Sequence, residues 1–181
     1  FVQGLTRGDG IKGLDVTEHL RTLVPEVFLG TSHIQQITGE VVAKKTIKNA
    51  RNYAAGALGL NSIEEFVSRE LKFIAYGVQP YINEDWTADL GQAKRFGFDT
   101  VIDSDWREYP DDGLVFRINN NAEFRKRGNT SHHPRGAYAF KTIQKGIETQ
   151  LLDVLWNVGK SGVVAPVAIL KPIEIEGAMV S

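Results

Sequence analysis

Two short runs carry the residue types that could handle a flat, phosphorylated substrate: Asp111-Asp112-Gly113-Leu114-Val115-Phe116-Arg117-Ile118-Asn119 and His133-Pro134-Arg135-Gly136-Ala137-Tyr138-Ala139-Phe140-Lys141. In the first, an Asp-Gly turn signal leads into apolar and β-branched residues, the composition of a strand. Alternation along that strand puts Phe116 and Arg117 on opposite faces. In the second run, Tyr138 and Phe140 share one face, while Ala137, Ala139 and Lys141 share the other. Two alanines beside a lysine leave a shallow floor with a positive charge at one end. A flat group bearing a phosphate suits such a floor. Each strand taken alone also reads as a plain sheet element with one wet face.

Other residues with chemical potential lie upstream. Thr6-Arg7-Gly8-Asp9-Gly10-Ile11-Lys12-Gly13 holds three glycines, which permit close backbone approach. It lacks the Gly-Lys-Ser/Thr ending of a phosphate-binding P-loop. Glu40 sits in the strand-like Thr38-Gly39-Glu40-Val41-Val42. Lys44, Lys45, Lys48 and Arg51 crowd one segment before the small residues Ala54-Ala55-Gly56, a pattern that also fits a solvated helical face. Tyr76 lies in the strand-like run from Leu71 to Val78, where aromatics serve either a core or a ligand stack. His132-His133 projects in two directions from one strand with no cysteine or acidic cluster beside it, which argues against a metal site.

The elements that must position these residues follow from patterning. Residues 1–5 read as a short strand. Asp15-Val16-Thr17-Glu18 and Ser62-Ile63-Glu64-Glu65 both resemble capping boxes, the first opening a short helix before Pro25 and the second a helix to about Glu70. Residues 34–43 and 71–78 read as strands, and residues 87–96 as an amphipathic helix on Leu90, Ala93 and Phe96, stopped by Gly97. Asn121 to Arg127 reads as a short basic helix stopped by Gly128. Residues 151–159 and 162–168 form two strands around Lys160-Ser161, and residues 173–181 a third.

Composition sets bounds on function. The chain has 181 residues, 42% hydrophobic and 24% charged, the balance of an ordinary globular protein. A formal net charge of -1 means that nucleic-acid binding would need a local basic surface rather than a global one. With no cysteine, neither a disulfide scaffold nor a cysteine-ligated zinc exists in this chain. No signal peptide or long apolar run is visible, so no membrane partner and a cytoplasmic location are expected. Phe1 opens in strand-like sequence and Ser181 follows an apolar run, so both ends read as cut from something longer.

Taken together and in order, these segments resemble the NAD-dependent (bacterial-type) DNA ligases. The resemblance rests on Thr6-Arg7-Gly8-Asp9-Gly10 with Gly13, Asp15 and Thr17, then Arg21-Thr22-Leu23 and Pro25. It continues through Gly39-Glu40-Val41, Arg51-Asn52 with Ala54-Ala55-Gly56 and Leu58, and Phe73 with Tyr76-Gly77. It ends on Asp112-Gly113, Pro134-Arg135 with Ala137, Ala139 and Lys141, and Val158-Gly159 with Gly162 and Pro166-Val167-Ala168. Three departures are visible: Arg117 stands where that family has lysine, Gly136 where it has tryptophan, and Gly59 where it has a second arginine. The resemblance implies an α+β fold, an antiparallel-sheet nucleotidyltransferase core of the ATP-grasp-like DNA ligase kind, with the beginning of an OB-fold β-barrel. Residues 1–145 would be a partial adenylation domain and residues 146–181 the first OB-fold strands.

The implied activity is sealing of nicks in duplex DNA, as in repair and replication, through lysyl-AMP and DNA-adenylate intermediates. NAD and Mg2+ are the implied cofactors, with no metal ligand assigned, and nicked double-stranded DNA is the implied partner. Asp112, Lys141 and Arg117 would be catalytic, and Arg7, Glu40, Arg51, Tyr76, Arg117 and Lys141 would bind the cofactor. The family's nucleophilic Lys-x-Asp-Gly motif has no match here, so an upstream polypeptide would supply that lysine. Two other readings stay open: a non-catalytic relative that binds nucleotide or nicked DNA, and an ATP-dependent ligase or capping-type nucleotidyltransferase.

Overall fold

Glycine and proline placement divides the chain into short elements, and the computed structural model of the protein shows how they assemble. It describes residues 1–8, 12–26, 33–103, 106–131, 133–141, 146–175 and 178–181. The centre of the glycine-rich turn (Asp9-Gly10-Ile11) and His132 of the histidine pair lie outside the described residues. The chain forms two compact units, Phe1–Thr142 and Ile143–Ser181.

In the first unit, β1 (Gln36–Val42) pairs antiparallel with β2 (Lys72–Gln79). The register slips between Thr38 and Gly39, so Tyr76 stands unmatched opposite the irregularity. Gly39 is required there: a Cβ would come within 2.6 Å of the Ile74 carbonyl oxygen. Bulges of this kind re-aim the next side chain, here Glu40. The helix α4 (Trp86–Arg95) then crosses over to β3 (Asp99–Thr100), which pairs parallel with β2. The sheet is therefore mixed, not wholly antiparallel as the sequence led us to expect. The cause is the helical connection, which returns the chain in the same direction.

Two apolar clusters hold this unit together. In α2 (Ala50–Ala57), Ala50, Ala54 and Ala57 fall on one stripe and pack with Ala43, Leu71 and the fully buried Phe66 of α3 (Ile63–Ser68). Alanines at that spacing let the α2 backbone lie close to β1. The second cluster joins Ala75 and Val78 of β2 to Leu90 and Ala93 of α4 and to Phe98. Gly97 ends α4 at φ +92°, and Gly128 ends α5 (Asn121–Arg127) at φ +64°, as their positions after amphipathic runs indicate.

Local expectations were met unevenly. Ser62 caps α3 by accepting from the Glu65 backbone N–H at 3.1 Å, but α3 stops at Ser68 and Glu70 takes a positive φ. The other capping box is displaced. Asp15 accepts from the backbone N–H and hydroxyl of Thr17 (3.0 and 2.6 Å), while Val16 occupies the cap of α1 (Thr17–Arg21). Residues 1–5 do not form a strand; Leu5 makes a single bridge to Asp15, and Val2 is almost wholly exposed.

The ribbon comprises β4 (Gly113–Arg117) and β5 (Ala137–Lys141), paired antiparallel with Gly113 opposite Lys141 and Arg117 opposite Ala137. In the second unit, β6 (Leu151–Val158) and β7 (Val164–Leu170) make a hairpin turned at Gly162 (φ +79°). The expected third strand is instead a small pair, β8 (Ile173–Ile175) with β9 (Ala178–Val180). No helix among the described residues is long and apolar enough to cross a membrane.

Candidate functional site

Asp111 and Asp112 divide the work at the entry to β4. The Asp111 carboxylate accepts from the Gly113 backbone N–H at 3.2 Å, closing the turn. Gly113 sits at φ +143°, where a Cβ would collide with the Phe140 carbonyl oxygen, so β4 and β5 close tightly at this end. Asp112 is thereby left free to bridge two cations. Its oxygens lie 3.3 Å from an Arg51 guanidinium nitrogen and 3.4 Å from Lys141 Nζ. Arg51, first, and then Lys141 hold the Asp112 carboxyl below its ordinary range. All three side chains are about half exposed or more, so solvent screens the pairs and they add little to stability. Their value is positional: two cations are gathered around one replaceable anion.

Arg51 also lines a cavity of about 290 Å³ with Arg7 and Glu40, over an apolar floor that includes Val41, Ala54 and Phe73. A flat ring can lie on that floor. Glu40 can accept hydrogen bonds from a pair of hydroxyls, and the two arginines can meet a phosphate. Tyr76 is half-buried at the irregularity of β2. Burial raises its phenol pKa; the Glu40 carboxylate adds to that and Arg7 opposes it. The structure therefore brings Arg7, Glu40 and Arg51 together around the cavity and Arg51, Asp112 and Lys141 in the ion cluster, with Arg51 common to both, while Tyr76 is not among the residues that line the cavity.

Arg117 does not join them. Its register position is four strand steps from that of Lys141, roughly 13 Å along the ribbon at about 3.3 Å per residue. Its guanidinium lies 3.9 Å from the Phe124 ring centre, 5.1 Å from Trp86 and 5.5 Å from Tyr81. It donates to the Ile118 carbonyl (3.2 Å) and to Asn121 Oδ1 (3.3 Å). The pairing sets the two cations at opposite ends of the same face of the ribbon.

The sequence reading missed what holds Arg117. Asn121 is buried and donates to Asp89 Oδ2 (2.7 Å) and to the Asn83 carbonyl (3.0 Å). Buried Asp89 also accepts from the backbone N–H groups of Ile82 (3.1 Å) and Asn83 (2.8 Å) and from Asn83 Nδ2 (2.9 Å). The only available signal was a carboxylate beside Leu90 on the apolar side of an amphipathic helix. Phe124 was missed too. It packs so closely on Gly136 that a Cβ there would approach its ring to 2.6 Å, so a ring from α5 fills the room at that backbone. Gly59, by contrast, has only the Gly56 carbonyl oxygen near its would-be Cβ, at 3.6 Å, and a side chain there has space.

Among the described residues no group of three or more His, Cys, Asp or Glu could hold a metal ion. Asp112 faces two cations, which disfavours a third at the same carboxylate. The described residues do not by themselves build a magnesium site.

Comparison with known proteins adds two findings. Residues 148–181 match the model of the NAD-dependent DNA ligase OB-fold domain. The whole chain is also similar to curated proteins named DNA ligase. It is 32% identical over 236 residues to that of Persephonella marina, with 100% of this chain and 33% of the relative covered. It is 33% identical over 221 residues to that of Pseudomonas fluorescens, covering 100% and 28%. For Aquifex aeolicus the figures are 32% over 228 residues, 100% and 32%. The chain spans about a third of the length of the curated relatives it matches.

Proposed function

The chain belongs to the DNA ligase family, and from that premise we propose that it is the adenylate-handling part of an NAD-dependent ligase that seals nicks in duplex DNA. The observation that carries this reading is Asp112 held between Arg51 and Lys141 at 3.3 and 3.4 Å, beside a cavity that also presents Arg7 and Glu40. Phosphoryl-type transfer needs positioned cations more than it needs protein covalent chemistry, apart from the nucleophile. In the first step a lysine amine forms a P–N bond to the α-phosphorus of NAD as the pyrophosphate bond breaks and nicotinamide mononucleotide leaves. A nick 5′-phosphate oxygen then takes the AMP, and the 3′-hydroxyl displaces it.

In this account Lys141 and Arg51 leave Asp112 and meet the AMP phosphate. Glu40 and Arg7 bind the ribose side, and Tyr76 borders the adenine. The freed Asp112 orients the attacking lysine. That lysine is supplied by polypeptide outside this chain, because no Lys-x-Asp-Gly occurs in its sequence. No step is assigned to magnesium, for which the described residues form no site.

The test uses NAD labelled in its adenylate. The chain by itself should acquire no covalent label, while the complete enzyme containing it should both label and seal. Stable lysine-linked AMP on this chain would overturn the assignment of the nucleophile. A complete enzyme that binds nicked duplex but neither labels nor seals would favour a non-catalytic binding relative instead.

A further inference from the structure

Asp112 uses its two oxygens separately: Oδ1 meets Arg51 Nη2 at 3.3 Å, and Oδ2 meets Lys141 Nζ at 3.4 Å. A phosphate held by the same two side chains presents a pair of oxygens to them in the same way. The neighbouring acids are committed elsewhere. Asp111 accepts from the Gly113 backbone N–H at 3.2 Å, and Glu108 pairs with Lys44 at 3.3 Å.

Backbone, not ion pairing, fixes the place of Asp112. The register sets Gly113 opposite Lys141, and the tight closure of β4 on β5 at Gly113 (φ +143°) keeps the preceding residue beside that lysine. Arg51 arrives from α2, whose stripe of Ala50, Ala54 and Ala57 faces the core and leaves Arg51 exposed. The side chains of Arg51, Asp112 and Lys141 are 53%, 51% and 68% exposed, so each contact is weak and open to a ligand. A carboxylate brings one negative charge to this place. A phosphate monoester brings between one and two at neutral pH, with more acceptor oxygens, and can take the cations over.

We propose that Asp112 is an internal competitor for the ligand phosphate: in the free chain it occupies the place between Arg51 and Lys141, and a phosphate-bearing ligand binds only by displacing it. The proposal rests on the adenylate reading of this site and adds a self-inhibiting contact to it. The binding-competent state is the one in which the cations are free of Asp112, so every phosphate-bearing ligand loses affinity by the same factor. A neutral nucleoside on the cavity floor at Glu40 loses none. Displacement also sets an order of events. The carboxylate turns to the attacking lysine only after phosphate has taken its cations, so the amine is oriented only when the group it attacks is in place.

The experiment is calorimetric titration of the full chain with AMP, inorganic phosphate and adenosine. Asp112→Asn should tighten AMP and phosphate by the same factor, about 3- to 10-fold, and leave adenosine unchanged. Asp111→Asn removes an equal charge one residue away and keeps an oxygen to close the turn; it should change phosphate affinity less than about 2-fold. Both carboxylates are exposed, so the melting temperature should hold in both variants. Equal tightening in the two variants would overturn the proposal in favour of a general field effect. Unchanged or weaker AMP binding in Asp112→Asn, with AMP binding of the unsubstituted chain still lowered by Lys141→Ala, would overturn the competitor and leave the adenylate reading standing. AMP bound no more tightly than adenosine, with Lys141→Ala without effect, would overturn both.

Discussion

Lys141→Ala should slow single-turnover nick sealing in the complete enzyme about 30- to 150-fold, a loss of about 2–3 kcal/mol of the kind a charged hydrogen bond to a phosphate provides. In the free protein Lys141 is 68% exposed and meets Asp112 at 3.4 Å, so the substitution should hardly change stability. The loss belongs to the state in which phosphate has replaced Asp112. Lys141→Arg keeps the charge and should recover much of the rate. Sealing by Lys141→Ala at near the unsubstituted rate would reduce the Asp112 cluster to an ordinary surface ion network.

The largest effect on stability should come from Asp89→Ala. The substitution leaves four N–H groups without their acceptor: those of Ile82 and Asn83 in the backbone, and the side-chain amides of Asn83 and Asn121. Each buried donor left unmatched costs about 1–3 kcal/mol, moderated where water or local relaxation reaches it. Four donors losing one acceptor put the expected loss at about 3–5 kcal/mol. Urea unfolding of the first unit, followed by its tryptophans, reads it as a lower midpoint at similar slope. Asp89→Asn keeps one oxygen acceptor and should lose less. A change under about 1 kcal/mol in Asp89→Ala would mean that the network contributes little beyond its geometry. Arg117 should loosen along with it, because Asn121 would lose the contact that fixes its amide.

What could be read from the sequence were features that depend on neighbours in the chain. The Asp111-Asp112-Gly113 turn, the alternation of β4 and β5, the glycine stops at 97 and 128, and the Ser62 cap all follow from residues within a few positions of each other. Register between strands does not. Nothing near Arg117 in sequence says that it pairs across from Ala137 while Lys141 pairs with Gly113. The Asp89–Asn121 contact spans 32 positions, and β2 meets β3 in parallel only because α4 packs as a crossover. Asp15 shows the limit of a local rule: a carboxylate two residues before Thr17 satisfied that residue directly and moved the cap by one place. The candidate site was similarly half visible. Its residue types were all in view, but the fact that Arg51 serves both the cavity and Asp112 appeared only with the packing of α2 against the ribbon entry.

The most direct test of the central claim is a titration of the isotope-labelled chain with AMP, followed residue by residue by nuclear magnetic resonance. If Arg7, Glu40, Arg51 and Lys141 form one adenylate site, their signals should shift together on a single saturating curve, with the Asp112 carboxyl moving as its two cations turn to the phosphate. Shifts absent from these residues, or confined to the Arg117–Arg135 end of the ribbon, would contradict it.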